Sequence, residues 1–170
     1  MTSPLKRPAV TAGIGPGPLR FEQFQAGYVT NDMDRACAVL GDRFGIREFC
    51  RLEGDMQEGG RIRLEMAWAG GILYEIVQAD GPGGEFYRER LPADGFAIRH
   101  HHLGFLVTNA ADWEALQRQI AQGGWKVALQ TDVPGFMKAV YIEAPELGHY
   151  LEYLFPEAAG YAFFEGAPAF

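Results

Sequence analysis

Four residues able to hold a metal ion recur at matched positions in two halves of this chain. When the sequence is shifted by 77 positions, from 25 to 102, Gln25-Ala26-Gly27-Tyr28 falls on His102-Leu103-Gly104-Phe105. The same shift lays Gly71-Ile72-Leu73-Tyr74-Glu75 on Gly148-His149-Tyr150-Leu151-Glu152. Each half therefore offers one metal-competent side chain and, 50 residues later, a Glu. Duplicated halves commonly face each other across a pseudo-twofold axis, which would gather Gln25, Glu75, His102 and Glu152 at one place. Gln and neutral His add no charge and two carboxylates add two negatives, so one divalent cation balances the set. Three oxygens and one imidazole nitrogen suit a six-coordinate ion such as Ni²⁺, Co²⁺, Mn²⁺ or Zn²⁺, with positions left for water or a chelating substrate.

Taken singly, each residue is a weak signal. A strand His is more often structural, and a late-strand Glu or Gln usually faces solvent. The matched spacing and the shared flanking glycines raise the four together. His100 lies two residues before His102, so strand alternation puts both on one face and makes His100 either an outer partner of the ligand or a partly exposed strand His, two readings of equal weight. By the same rule His101 points away from the site and His149 lies opposite Glu152. Glu58, just before a strand, is a weaker candidate for a second base, since turn residues are commonly solvated.

The elements that must position these groups follow from patterning. Residues 21–30 read as a strand. Asn31 or Asp32 can cap a helix ending near Phe44, with Gly45 as its left-handed stop and Met33, Ala36, Leu40 and Phe44 along one face. Strands are expected over 46–53, 61–68 and 71–78. Arg61-Ile62-Arg63-Leu64-Glu65-Met66 alternates with period two, as a half-buried strand should. Residues 79–97 form a linker holding Gly81-Pro82-Gly83-Gly84 and a short helix over 85–91. The second half repeats the order: a strand over 99–107, a helix capped by Asn109 and ended by Gly123-Gly124, then strands over 125–131, 136–143 and 148–155. The chain thus divides into an arm (1–20), a βαβββ module (21–78), the linker (79–97), a second βαβββ module (98–155) and an aromatic tail (156–170). The tail's Tyr161, Phe163, Phe164 and Phe170 are expected to cover a pocket mouth or to pack on a partner.

Composition sets bounds. A chain of 170 residues with 48% hydrophobic content can bury a core of one domain or of two small modules. A formal net charge of −7 argues against a nucleic-acid partner, which needs a basic stripe. No apolar run approaches the ~20 residues that span a bilayer. Two cysteines are too few for a disulfide scaffold, so a cytoplasmic home is expected. Arg43, Arg47, Arg51, Arg61 and Arg63 crowd the first module. They read mainly as a solvated face, with anion binding as the alternative.

The text from Gln25 to Ala36, together with Leu73-Tyr74-Glu75-Ile76, His101-His102-Leu103-Gly104-Phe105 and Leu147-Gly148-His149-Tyr150-Leu151-Glu152-Tyr153, resembles the vicinal oxygen chelate superfamily. That superfamily includes glyoxalase I, methylmalonyl-CoA epimerase, extradiol dioxygenases and bleomycin-resistance proteins. The resemblance implies an α+β fold in which two βαβββ modules form a cupped, incomplete-barrel mixed sheet with helices outside. It implies one divalent metal on Gln25, Glu75, His102 and Glu152, with Glu152 and then Glu75 as proton-moving carboxylates. The donor set resembles some glyoxalase I enzymes, while the His101-His102 text looks more like the epimerases. The expected activity is that of an isomerase or lyase moving a proton at a carbon α to a carbonyl, with metal stabilisation of an enediolate. The expected substrate is a small molecule such as a thioester or a glutathione adduct, and a homodimer is expected. The alternatives are a metal-free, drug-sequestering protein of the same fold and an Fe²⁺ extradiol-type dioxygenase. One His with two Glu matches the two-His, one-carboxylate iron triad poorly.

Overall fold

The computed structural model describes residues 21–170, so the arm expected over 1–20 lies outside the described residues. Eight strands form one mixed sheet: β1 (Glu22–Thr30), β2 (Cys50–Asp55), β3 (Arg61–Ala69), β4 (Ile72–Asp80), β5 (Ile98–Leu106), β6 (Val127–Val133), β7 (Met137–Ile142) and β8 (Tyr150–Pro156). Their order is β2-β3-β4-β1-β5-β8-β7-β6. Each half is therefore a four-stranded unit, and the halves meet where β1 pairs antiparallel with β5. The architecture is α+β, a curled half-barrel with its two long helices packed outside, as the resemblance implied.

Helix α1 (Met33–Phe44) starts on Asp32, whose side chain accepts from the Arg35 amide, and stops at Gly45 with φ 74°. Helix α3 (Ala110–Gly123) repeats the device with Asn109 and with Gly124 at φ 65°. Both glycines take a left-handed turn that a side chain would strain. α1 buries Met33, Ala36 and Leu40 against Ala67 and Ile76 on the outer face of the sheet. α3 buries Trp113, Leu116 and Ile120 against Val140, Leu151 and Tyr153 in the same way.

The inner face is closed by two segments that follow the last strand of each half. Helix α2 (Glu85–Arg88) sets Tyr87 over Val29, Val77 and Ala79. Helix α4 (Ala158–Glu165) sets Phe164 over Phe24 and Leu73. Phe86-Tyr87 and Phe163-Phe164 are 77 residues apart, so the duplication runs through these caps. The aromatic tail covers the cup of its own chain. Trp68 donates its indole N–H to the Phe164 carbonyl at 2.8 Å, and the Trp68 amide donates to Pro168 at 2.8 Å. No described helix is long and apolar enough to cross a membrane.

Several strand limits differ from the sequence expectation. Residues 46–49 are not strand, because Ile46 and Phe49 pack beneath α1 before pairing with β3 begins at Cys50. β6 starts at Val127, two residues later than expected, after the αL turn at Gly124. Residues Pro145–Leu147 form a 3₁₀ turn, which delays β8 to Tyr150.

The seam between β1 and β5 depends on two glycines. Gly27 sits between Glu75 on β4 and His102 on β5. Gly104 sits between Gln25 on β1 and Glu152 on β8. A Cβ on Gly27 would overlap the His102 ring, and one on Gly104 would overlap the Gln25 amide. Gly27→Ala and Gly104→Ala are expected to cost about 1–3 kcal/mol by overpacking. Gly54→Ala, where a Cβ meets nothing within 4 Å, should be nearly neutral. Thermal unfolding of the three variants checks the order, and equal melting temperatures would contradict it.

Candidate metal centre

Strand pairing brings the groups together two rows deep. Glu75 and His102 share a row on either side of Gly27, while Gln25 and Glu152 share the next row on either side of Gly104. His102 Nε2 lies 3.0 Å from Glu75 Oε2 and 3.1 Å from Glu152 Oε2. One ligand atom from each of these three residues falls within 4.8 Å of the others, a grouping that could hold a metal ion. Gln25 is 1% exposed and its Oε1 faces Gly104. All four residues belong to one chain.

The four side chains are buried, yet Gln25 Oε1, Glu75 Oε2, His102 Nε2 and Glu152 Oε2 have no hydrogen-bond partner. The short distances from His102 to the two carboxylates thus do not carry hydrogen-bonding directions. Buried polar atoms are nearly always satisfied, so four orphans on residues that strand pairing sets in adjoining rows need an explanation.

The electrostatics bear the same mark. Burial lifts the Glu75 carboxyl above the usual range; His102 pulls it back and the neighbouring Glu152 pushes it up again. Burial opposes a charged His102, but Glu152 and Glu75 outweigh it and hold the ring at about 10. In the absence of another cation, the protonated imidazole is the positive charge that these two acids find.

Around this centre stand residues that alternation alone did not find. Tyr141 pairs with Glu152 across β7 and β8, so both point inward, and its ring meets His102 edge-on at 5.3 Å. Burial and the nearby Glu152 push the phenols of Tyr141 and Tyr87 above their ordinary values, which keeps them neutral donors. His101, expected outside, is fully buried, with Nδ1 3.0 Å from Nδ1 of His102. The reason is a β-bulge: Gly27 pairs with His102 and Tyr28 with His100, leaving His101 as an extra residue turned inward. Burial lowers His101 to about 3, so it is a neutral ring.

The bulge also moves His100 to the outer face, against Tyr28 at 5.5 Å and His149 at 5.0 Å, so it is not the ligand's outer partner. Glu58 is exposed in the turn before β3. Glu65 takes Arg51 and Arg63 as salt-bridge partners on the outer face of β3, away from the site.

The cover over the site is aromatic. Phe86 lies 4.8 Å from His101, 5.1 Å from Tyr141 and 4.7 Å from Tyr150. At the rim, Tyr150 donates to Glu89, and Arg90 lies over the Tyr150 ring while donating to the Gly148 carbonyl. Of the four His in the chain, His100 and His149 are half-buried while His101 and His102 are 0% exposed. Diethyl pyrocarbonate should therefore modify His100 and His149 and spare the other two, and Phe86→Ala should lift that protection. Peptide mass spectrometry reads the outcome; equal rates at all four rings in the unaltered protein would contradict it.

Comparison with known proteins follows the same lines. No curated protein sequence matches the chain. Among solved structures, methylmalonyl-CoA epimerase from Mycobacterium tuberculosis superposes with a TM-score of 0.58 at 17% identity, over 82% of this chain and 91% of that one. The Streptomyces coelicolor epimerase, in complex with 2-nitronate-propionyl-CoA, gives 0.55 at 14% identity, over 82% and 99%. At such identities the likeness establishes the fold. The model of the Glyoxalase/Bleomycin resistance protein/Dioxygenase superfamily matches residues 22–153, and this chain belongs to that superfamily.

Proposed function

We propose that this protein is a divalent-cation-dependent isomerase or lyase that moves a proton at a carbon next to a carbonyl. The observation that carries this reading is the quartet of buried, unpartnered atoms on Gln25, Glu75, His102 and Glu152. Leaving such atoms unsatisfied is costly, and two buried acids beside one another are costlier still. A cation held by these four residues removes both penalties. Three oxygens and an imidazole nitrogen fit Ni²⁺, Co²⁺, Mn²⁺ or Zn²⁺. When bound, such an ion supplies Lewis-acid stabilisation of negative charge on a substrate oxygen, an effect of several kcal/mol.

The remaining chemistry falls to the chain. Glu152 takes the proton from the α-carbon, and proton transfer by a placed carboxylate contributes typically ~10²–10⁴-fold. Glu75 stands at the matching place in the other half and returns a proton from the opposite side when the reaction is an epimerisation. Tyr141, neutral and beside Glu152, donates a hydrogen bond to a substrate oxygen. Phe86 and Tyr87 exclude water while the carbanion lives.

The substrate reading is a small thioester or glutathione adduct. Acyl-CoA esters come first because the fold is that of epimerases solved with such ligands. Glutathione hemithioacetals come next because Gln25 and Glu75 resemble the glyoxalase I donor set.

Ion content, stability, activity and isotope exchange test the proposal. Protein purified without a histidine tag should contain about one divalent ion per chain by elemental analysis, and a chelator should lower its melting temperature. Restoring the ion to a hundredfold excess over its Kd should return about 2.7 kcal/mol. His102→Ala and Glu152→Gln should lose the ion and the activity together. Full occupancy in both variants would refute the ligand assignment, and an ion-free parent would leave a metal-free binding protein. In deuterium oxide, the α-carbon of an epimerised acyl-CoA or of an isomerised hemithioacetal should gain deuterium. Turnover without any such exchange would point to different chemistry.

A further inference from the structure

Two strand bulges occupy matching places in the two halves, and they are filled differently. In β1 the extra residue is Phe24, whose ring packs on Phe164 of α4 at 5.3 Å. In β5 it is His101, 77 positions later, beneath Phe86 at 4.8 Å and Tyr87 at 5.5 Å. A place that takes an apolar filler in one half holds an imidazole in the other. That imidazole is 0% exposed and engages both ring nitrogens. Its Nδ1 lies 3.0 Å from Nδ1 of His102, and its Nε2 lies 3.3 Å from the Phe86 carbonyl oxygen.

A carbonyl oxygen only accepts, so the His101 proton sits on Nε2. No carboxylate is among the hydrogen-bond partners of this buried ring, which is therefore neutral with a single proton to give. His101 Nδ1 is a bare acceptor, and the proton between the two rings belongs to His102 Nδ1. The other nitrogen of His102, Nε2, is the one that meets Glu75 and Glu152 at 3.0 and 3.1 Å.

We propose that His101 is a positioning residue that fixes the His102 tautomer, aiming Nε2 at the cation site and tying that state to the closed position of α2 through the Phe86 carbonyl. This rests on the cation site proposed above. Partners that orient a ligand in this way typically change metal affinity by about 10–100-fold. Linkage makes the effect mutual: a closed α2 favours the ion, and the ion holds α2 closed.

The test uses the full chain with Zn²⁺ as probe, its affinity read by competition with a chromophoric chelator. His101→Phe should stay folded by circular dichroism and bind Zn²⁺ about 10–100-fold more weakly. His101→Asn, whose amide oxygen can stand where Nδ1 stood, should recover most of the loss. Hydrogen exchange over residues 84–91 should slow on Zn²⁺ loading in the parent and not in His101→Phe. In the parent, ¹⁵N NMR should show a coupling through the hydrogen bond between the two Nδ1 atoms, with the proton on His102. A folded His101→Phe with parental affinity would overturn the proposal, as would a parent spectrum without that coupling. If the parent takes up no Zn²⁺, the cation reading fails by itself. The metal-free spectrum then decides the contact between the two rings alone: the coupling, with its proton on His102, retains the tautomer assignment, and its absence ends it.

Discussion

Everything at the centre depends on how closely β1 and β5 can lie beneath two bulky polar side chains. Two residues without a Cβ, Gly27 and Gly104, make that approach possible. Each leaves a hollow in the inner face, and each hollow is filled from the other half, by the His102 ring over Gly27 and the Gln25 amide over Gly104. The halves are thus locked by exchange of side chains across their seam, as well as by backbone hydrogen bonds. With those two side chains laid into the seam, Glu75 and Glu152 arrive from the flanking strands β4 and β8. Fold and candidate site are one arrangement, since the feature joining the modules also gathers the candidate ligands.

The surroundings sharpen the electrostatics of that gathering. Phe86, Tyr87, Tyr141 and Tyr150 replace water above the donors, so charges there interact through a medium of low polarity. Burial there opposes a charged His102, but Glu152 and Glu75 outweigh it and hold the ring above an ordinary imidazole, while the same burial makes Glu75 resist ionisation. The outer face is organised on ordinary terms. Two amphipathic helices bury apolar stripes, and Glu65 on β3 meets Arg51 and Arg63 near the surface.

Much of this was legible in the sequence, for identifiable reasons. The caps at Asp32 and Asn109 and the stops at Gly45 and Gly124 are local chemistry, and local chemistry is written locally. The convergence of Glu75, His102 and Glu152 was legible because duplication preserved their spacing. The bulges were not visible. An inserted strand residue leaves no mark in composition, and His100-His101-His102 reads as regular alternation, which assigns the inward roles to the wrong member of the run. The function of the tail was hidden for a related reason. Its aromatics promise a cover, but only the match of Phe163-Phe164 with Phe86-Tyr87 says that it is the second copy of a cap. Residues 46–49 misled because Ile46 and Phe49, tucked under α1, give a loop with exposed Arg47 and Glu48 the mixed pattern of a half-buried strand.

The bulges also separate two kinds of information carried by the same strand. Because Phe24 and His101 each stand two-for-one against the partner strand, neither belongs to the alternation that assigns the other side chains to the inside or the outside. Excising either would leave the parity of β1 or β5 intact, with Gln25 and His102 still facing inward. Such a position can change its chemistry, from hydrocarbon in one copy to imidazole in the other, without rewriting the strand around it. A duplicated gene that kept its scaffold under constraint would find here a degree of freedom already detached from the pleat.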